Sequence, residues 1–409
     1  MFKKCLLFLM ILFYPQFVLA SGQYLSPLPT PNAEILNVSI ERCSAGCLRD
    51  LLDKGQVFSF MANVNKDNQN DRILEELNRL LGELEISEIP YFIGVQKPFF
   101  NIALLFPRKS IGRYSSTTTN VILSYLLHQK GRFNFQIFDS KTESQEDIQD
   151  ALNAIVAEGY RQVIAVVTQE GASAINVLSP DLEVFIPTVH KSQMQGEIAR
   201  GVIFGGISYA EQIQKLSALN PNVAATSFYD DSVIGKQMQI YTQEANVNLG
   251  YSKSFNLKQN PDFQKEMKNI KRQLRGTRVF LNTPVTNSSV ILSQLTYNEV
   301  APQGVYSTQI NYNPSLLSIT QERDRRNMYV ANSIMPLNSL FVENAKLLNA
   351  DLQYNWINYT TAYGIEYFYR KSVPRVKAYF KEKIKNQQVD YAIEILTPTN
   401  TRFAPLKGS

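Results

Sequence analysis

Asn101-Ile-Ala-Leu-Leu-Phe-Pro107 is a run of five apolar residues between an amide and a proline. A continuous apolar run of this length is typical of a strand that is buried on both faces of a parallel sheet. A second such run, Gly159-Tyr-Arg-Gln-Val-Ile-Ala-Val-Val167, follows further along the chain, after helical patterns. This alternation of strand and helix, which starts at Phe99, predicts a parallel sheet with crossover helices.

The same alternation continues to residue 335 and predicts two doubly wound α/β lobes. The first lobe covers 99–205, the second covers 206–335, and the chain returns to the first lobe at about 336–370. Two consecutive lobes of this kind form a cleft. Ligands bind in such clefts at the carboxyl ends of strands from both lobes.

The N-terminal residues have the pattern of a signal peptide. Lys3 and Lys4 precede an apolar run, and Val18 and Ala20 are the small residues that signal peptidase accepts. We expect residues 1–20 to be removed after Ala20 and the protein to be periplasmic. An uncleaved membrane anchor is the alternative. Pro15 argues against it, because this residue interrupts the apolar run.

Between the signal peptide and the first lobe, the sequence predicts an extended leader at 21–33 and an accessory region at 34–98. The accessory region is predicted to be mainly helical, with one strand at 57–62. Cys43 and Cys47 remain after signal cleavage, and in an oxidising compartment this pair predicts a disulfide. A metal-binding pair and a redox dithiol are the alternatives.

Composition and motifs argue against several functions. The net charge of +5 is mild and the basic residues are scattered, so we expect no nucleic-acid partner. No further run of about 18 apolar residues follows the signal peptide, which predicts no membrane span after cleavage. The sequence has two histidines and none of the common nucleophile, phosphate-loop or zinc motifs, so we expect no enzyme activity, cofactor or metal.

The C-terminal third carries two conspicuous sets of residues. The aromatic set is expected to pack in the core of a helix rather than to form a platform for sugars: Tyr354, Trp356, Tyr359, Tyr363, Tyr367 and Phe368. The basic set opens a C-terminal extension at 371–409 and is expected to form a solvated helix face, with an anionic partner as the alternative: Arg370, Lys371, Arg375, Lys377, Lys381, Lys383 and Lys385.

Taken together, these segments resemble the type I periplasmic solute-binding proteins, of which the Leu/Ile/Val-binding proteins are examples. The resemblance covers about 99–370. It is carried by the two strands quoted above, by Val184-Phe-Ile-Pro-Thr-Val189, by the crossing at 205–219, and by Phe228-Tyr-Asp-Asp-Ser-Val-Ile-Gly235. It implies two Rossmann-like lobes that close on a small ligand.

The chain also resembles the C-terminal domain of the outer-membrane activators of penicillin-binding proteins. Those proteins place a helical module ahead of this fold and return through a segment similar to Tyr329-Val-Ala-Asn-Ser-Ile-Met-Pro336. This chain lacks their acyl-anchor cysteine, and its N-terminal region is shorter. The resemblance implies the alternative function, a cell-envelope regulator or scaffold that docks a protein partner.

The resemblance also places the candidate ligand-binding residues at strand ends. Amino-acid binders of the family carry a Gly-Pro-x-x-Ser-type loop after the third strand, where this chain has Thr168-Gln-Glu-Gly-Ala-Ser173. We expect Lys191 to pair with an anionic group, Asp230 with a cationic one, and Tyr229 to stack on an apolar one. Ordinary solvated loop ends are the alternative for each of the nine candidates, which are Thr168, Ser173, His190, Lys191, Ser192, Tyr229, Asp230, Asn282 and Thr283.

Overall fold

The computed structural model describes residues 43–65, 68–83, 99–129, 131–246, 248–256, 263–373 and 376–406. They fall into two compact units that are divided between residues 96 and 97. The expected signal peptide, its cleavage site and the leader at 21–33 lie outside the described residues. No described helix is long and apolar enough to cross a membrane.

The first unit contains three helices within its described residues, namely α1 (Ala45–Asp53), α2 (Val57–Asn63) and α3 (Asp71–Glu83). Cys43 and Cys47 form a disulfide at the start of α1, with their Cα atoms 5.3 Å apart. The apolar faces of the three helices meet in a small core that consists of Leu48, Leu51, Phe60, Val64, Ile73, Leu77 and Leu80.

The prediction of a strand at 57–62 is wrong, because this segment is helix α2. The backbone N–H of Phe60 donates to the carbonyl of Gln56 at 2.9 Å, and that of Val64 donates to the carbonyl of Phe60 at 3.1 Å. A strand needs a neighbouring strand for its backbone groups, and the described residues of this unit offer none. A helix satisfies these groups within the segment.

The second unit contains the remaining helices and all the described strands. The strands are β1 (Phe99–Phe106), β2 (Arg132–Asp139), β3 (Gln162–Ala165), β4 (Glu183–Ile186), β5 (Val202–Phe204), β6 (Ala225–Asp230), β7 (Leu249–Phe255), β8 (Arg278–Asn282), β9 (Gly304–Ser307), β10 (Met328–Asn332), β11 (Lys383–Lys385), β12 (Gln388–Asp390), β13 (Glu394–Pro398) and β14 (Phe403–Pro405). The helices are α4 (Arg108–His128), α5 (Gln145–Ala157), α6 (Gln169–Leu178), α7 (Tyr209–Ser217), α8 (Val233–Ala245), α9 (Phe263–Leu274), α10 (Val285–Tyr297), α11 (Pro314–Ile319), α12 (Ser339–Leu347) and α13 (Trp356–Ser372).

Two seven-stranded sheets organise this unit. The first has the order β11, β12, β5, β4, β3, β1, β2, and the second has the order β14, β13, β10, β9, β8, β6, β7. Strands β1 to β5 pair in parallel, as do β6 to β10. Helices flank both sheets, so the unit is a two-lobed α/β structure, as the sequence predicts.

Close backbone contact at the first crossing between the lobes requires glycine. A Cβ atom on Gly206 would lie 2.3 Å from the carbonyl carbon of Val189. One on Gly205 would lie 2.4 Å from Cζ of Phe185. The chain leaves β5 here and enters α7, so these two glycines let the crossing pass against the end of β4.

The prediction of a basic C-terminal extension at 371–409 is corrected by the structure, because the segment 383–405 supplies strands to both sheets. Strands β11 and β12 form an antiparallel pair at one edge of the first sheet, and β13 and β14 do so in the second. Each strand has three to five residues, which is too short for a clear period-two signal in the sequence. Burial of Val389, Ile395 and Leu396 fixes the segment.

The expectation of a basic helix face is also wrong beyond residue 373, where the described residues form loop and strand. Lys371 forms an ion pair with Glu183, and the Lys385 ammonium lies 2.5 Å from the Asp390 carboxylate. Arg375 lies outside the described residues. Within the aromatic set, Tyr359, Tyr363 and Phe368 of α13 are buried in the core of the first lobe.

Candidate functional site

A cavity of about 130 Å³ lies between the two lobes. Four helices present their first residue to it, which is Gln169 in α6, Tyr209 in α7, Val233 in α8 and Trp356 in α13. Three of them, α6, α7 and α8, follow parallel strands and therefore begin at the carboxyl edge of a sheet, whereas α13 follows helix α12. The complete lining is Gln169, Thr188, His190, Ser192, Gln193, Ile207, Ser208, Tyr209, Ala210, Val233, Ile234, Gln237, Met238, Tyr241 and Trp356.

The wall from the first lobe is held by a short turn after β4. The Nδ1 atom of His190 accepts a hydrogen bond from the N–H of Ser192 at 3.2 Å, and the His190 N–H donates to Oε1 of Gln193 at 2.9 Å. Gln169 ties α6 to this turn, because its Nε2 donates to the Gln193 carbonyl at 2.6 Å. Burial lowers the pKa of His190 to about 4, so its imidazole is neutral at pH 7.

The wall from the second lobe consists of the start of α7 and of the side chains of α8 from Val233 to Tyr241 that face the cavity. Ser232 caps this helix by accepting a hydrogen bond from the N–H of Gly235 at 3.0 Å. The next two residues are apolar and exposed, with 85% of Val233 and 50% of Ile234 open to solvent. Exposed β-branched residues at a helix start gain nothing from local propensity, so their position at a cavity suggests contact with a ligand or a partner.

An aromatic pair closes one side of the cavity. Trp356 is the single tryptophan of the chain, and its ring centroid lies 6.4 Å from that of Tyr209 in an edge-to-face arrangement. Asn355 caps α13 and thereby fixes Trp356 at its first position. Burial raises the pKa of Tyr209, which keeps its hydroxyl protonated across the physiological range.

A second cavity, of about 220 Å³, adjoins the first one. The two share His190 and Ser208, so this residue pair separates them. The second cavity contains the charged side chains of Glu211, Lys385 and Asp390. Among the described residues no group of three or more histidine, cysteine, aspartate or glutamate side chains is placed to hold a metal ion.

Three solved structures resemble this unit. They are a solute-binding protein of Rhodopseudomonas palustris in complex with 3,4-dihydroxybenzoic acid (13% identity, TM-score 0.52), the substrate-binding protein LivJ of Streptococcus pneumoniae in complex with isoleucine (10% identity, TM-score 0.52), and the C-domain of LpoA of Haemophilus influenzae, a regulator of PBP1A (11% identity, TM-score 0.51). Each match covers 75% of this chain, and 96%, 97% and 99% of the respective structures. The chain has the type I periplasmic-binding fold. The sequence itself matches no family model and no curated protein.

The periplasmic-binding fold brings two of the five candidates from the first lobe to the cavity, His190 and Ser192. Lys191 lies between them but points elsewhere, since its ammonium donates to the carbonyl of Asn386 at 2.8 Å. Thr168 caps α6 and does not line the cavity. The hydroxyl of Ser173 donates to the carbonyl of Gln169 at 2.8 Å, one turn inside the same helix.

The four candidates from the second lobe do not line the cavity. Asp230 is 1% exposed, and its Oδ1 accepts a hydrogen bond from the N–H of Ser232 at 2.8 Å, so it supports the start of α8. Asn282 and Thr283 are buried and bond to hydroxyl groups of their own lobe. Tyr229 is half-buried beside Asn282 in the sheet.

Buried polar side chains that the sequence analysis missed fill the strand ends of the second lobe. Gln212 of α7 donates to Ser333 at 2.7 Å and accepts from the N–H of Gln309 at 2.8 Å. Gln309 in turn donates to Asn332 at 3.0 Å. These groups bind one another and are at most 3% exposed, and Ser333 borders the second cavity. In sequence, Gln309, Asn332 and Ser333 are polar residues at or within two positions of the ends of β9 and β10, which is the same signal that selects ligand residues.

Proposed function

We propose that this chain is an exported, non-enzymatic binding protein that holds a small ligand in the cavity between its lobes. The observation that carries the proposal is the composition of the wall, to which the first lobe contributes the turn at 188–193 and the second contributes α8. A ligand that contacts both walls stabilises one arrangement of the lobes over others. Trp356 and Tyr209 supply the aromatic surface that small-molecule sites usually contain.

Export is part of the proposal. Its support is the signal-peptide pattern of residues 1–20 together with the pairing of Cys43 and Cys47, because disulfides persist in oxidising compartments such as the periplasm. The test is purification of the protein from the periplasm of the producing bacterium. The intact mass should then equal that of a chain that begins at Ser21, less the mass of the two hydrogens that are lost when the disulfide forms.

Thermal unfolding of this processed protein, against a panel of sugars, amino acids, peptides and aromatic acids, tests ligand binding. A ligand at about 100 times its dissociation constant adds roughly 2.7 kcal/mol to the free energy of unfolding, which gives an easily measured rise in Tm. Trp356 provides a second signal, since a ligand in the cavity would change its fluorescence emission. A binder that raises Tm and leaves the emission unchanged would place the ligand elsewhere.

A second function, regulation of a cell-envelope protein, has one observation in its favour. The network of Gln212, Gln309, Asn332 and Ser333 occupies the ends of β9 and β10, which leaves the starts of α7 and α8 as the ligand wall of that lobe. The LpoA C-domain is a regulator of PBP1A. The test is direct binding of the processed protein to purified penicillin-binding proteins of the same bacterium. Saturable binding together with a flat ligand panel would favour this function.

A further inference from the structure

None of the described residues that line the inter-lobe cavity has a side chain that is ionised at pH 7. These residues supply three amides, three hydroxyl groups of serine or threonine, three aromatic rings that belong to Tyr209, Tyr241 and Trp356, and aliphatic groups. The only titratable side chain that could become charged near pH 7 is His190, and burial lowers the pKa of its imidazole to about 4. A ligand in this cavity therefore meets neutral polar groups and apolar surface.

The charged side chains beside the cavity and in the adjoining cavity are either paired with other groups or exposed to solvent. Lys191 donates to the carbonyl of Asn386, and the buried Asp230 accepts from the N–H of Ser232. Lys385 and Asp390 pair with each other in the adjoining cavity, beyond His190. Glu211 also belongs to that adjoining cavity and is exposed to solvent.

The helix starts around the cavity act against a positively charged ligand most clearly at α8 and α13, whose first turns hold no acidic residue, whereas α6 and α7 carry the exposed Glu170 and Glu211 there. Four helices end here with their N-terminal, electropositive end, and a side chain from Thr168, Ser208, Ser232 or Asn355 caps each of them. An ammonium group would meet these four ends without a carboxylate in the wall to pair with it. Each cap already accepts one or two of the backbone N–H groups at its helix start, and the described lining holds no lysine or arginine for a carboxylate, so the remaining N–H groups suit the oxygens of a neutral ligand.

We propose that the cavity binds an uncharged ring compound that carries hydroxyl or amide groups, of the size and chemistry of a monosaccharide, and excludes free amino acids. This inference rests on the proposed function, since it names the ligand class of the same site. Burying the ammonium group of an amino acid without an opposite charge is strongly unfavourable, whereas hydroxyl groups can exchange water for the amides of Gln169, Gln193 and Gln237. A volume of about 130 Å³ also favours a single ring over an oligomer.

Titration of the fluorescence of Trp356 tests the inference with defined probes. The neutral probes are glucose and N-acetylglucosamine, and the charged probes are leucine, lysine and benzoate, each raised to about 10 mM on the processed protein. We expect a saturable change with at least one neutral probe and none with leucine or lysine. Saturable binding of leucine, lysine or benzoate without a neutral binder would overturn the ligand class and leave the proposed function intact.

Two variants distinguish the contribution of the cavity wall to ligand binding from that of the nearby charged side chains. Gln237→Leu removes an amide from the wall at nearly constant volume. It should raise the dissociation constant of the neutral probe by about 3- to 10-fold, the usual effect of one lost hydrogen bond. Lys191→Met removes the cation between the wall residues His190 and Ser192 and should change the affinity by less than about 2-fold. A large loss of affinity in the Lys191→Met variant, with an unchanged Tm of the free protein, would mean that a charged side chain does recognise the ligand. If no probe in either set binds, the saccharide class is wrong, and the wider panel decides the proposed function.

Discussion

The carboxylate of Glu143 accepts two hydrogen bonds from Thr168, one from its backbone N–H and one from its hydroxyl group, both 2.6 Å long. Glu143 lies in the loop between β2 and α5 and is 5% exposed. Thr168 is the N-cap of α6, and the next residue, Gln169, lines the cavity. A buried carboxylate on one loop thus fixes the start of a helix on another, and with it one part of the cavity wall.

Replacing Glu143 by glutamine should lower the free energy of unfolding by about 1–3 kcal/mol. The glutamine oxygen can still accept from the Thr168 N–H, but its NH₂ group then faces a hydroxyl that was a donor. Urea denaturation measures the loss. Glu158→Gln is the matched control, because Glu158 is exposed at the end of α5, and it should change stability by less than about 0.5 kcal/mol. Equal effects of the two substitutions would contradict the role given to Glu143.

Thr168 also shows how far sequence could lead at this site. Its position directly after a buried strand was enough to place it at the carboxyl edge of the first sheet. Its partner was not predictable, because Glu143 is 25 residues away and nothing in a loop sequence marks a carboxylate that will be buried. That a residue lies at a strand end follows from the local sequence pattern. The direction in which its side chain points depends on which neighbouring group forms a hydrogen bond with it.

The contact between Gly364 of α13 and Phe185 of β4 sets the distance between this helix and the first sheet. A Cβ atom on Gly364 would lie 2.4 Å from Cδ1 of Phe185, a fully buried ring. Gly364→Ala should therefore destabilise the protein by about 1–3 kcal/mol, although alanine is the better helix former. Gly250→Ala, where the added methyl group meets open space, is the control and should stay within about 0.5 kcal/mol.

A double variant identifies the cause of that loss. If the clash with the ring is responsible, Gly364→Ala combined with Phe185→Leu should be more stable than the sum of the two single effects predicts. Additive losses would show that the glycine has another role. Chemical denaturation of the four proteins gives the coupling energy.

His190 should titrate well below an ordinary histidine. Burial lowers the pKa of its imidazole to about 4, and its Nδ1 accepts the Ser192 N–H, which requires the neutral ring. The chain has two histidines, so proton NMR of the imidazole signals can follow both, and His190→Asn assigns them. A measured pKa near 6.5 for the signal that disappears in the variant would contradict the burial of this side chain.

The same shift makes stability depend on pH. The folded-state pKa lies below the value of about 6.5 for an unfolded chain, so the unfolded state binds more protons between pH 6.5 and 4. The contribution of the neutral imidazole is complete above pH 6.5 and is lost as the pH falls towards 4. The difference in unfolding free energy between the wild type and His190→Asn should therefore decrease as the pH is lowered from 6.5 to 4. A difference that is constant with pH would contradict this linkage.

The sequence predicted the two lobes but missed the cavity wall at α8, and both outcomes have the same physical cause, namely what a local pattern shows about burial. Runs such as Val184 to Val189 are apolar because both sheet faces are covered, and this made the parallel sheets predictable. The wall at α8 was missed because Val233 and Ile234 look like ordinary helix residues, and the sequence alone does not show that they are exposed. Asp230, by contrast, looks like a ligand residue and is buried under the cap of that helix.

Ile234 and Ile240 of α8 provide a matched test of the cavity. They are on the same helix and are 50% and 45% exposed, but only Ile234 lines the cavity. Ile234→Arg places a long cation in the cavity and should abolish the ligand-induced rise in Tm, while Ile240→Arg should retain it. Because both substitutions add the same group to an exposed site of one helix, any shared loss of stability cancels in the comparison. Equal ligand responses of the two variants would show that the ligand binds away from α8.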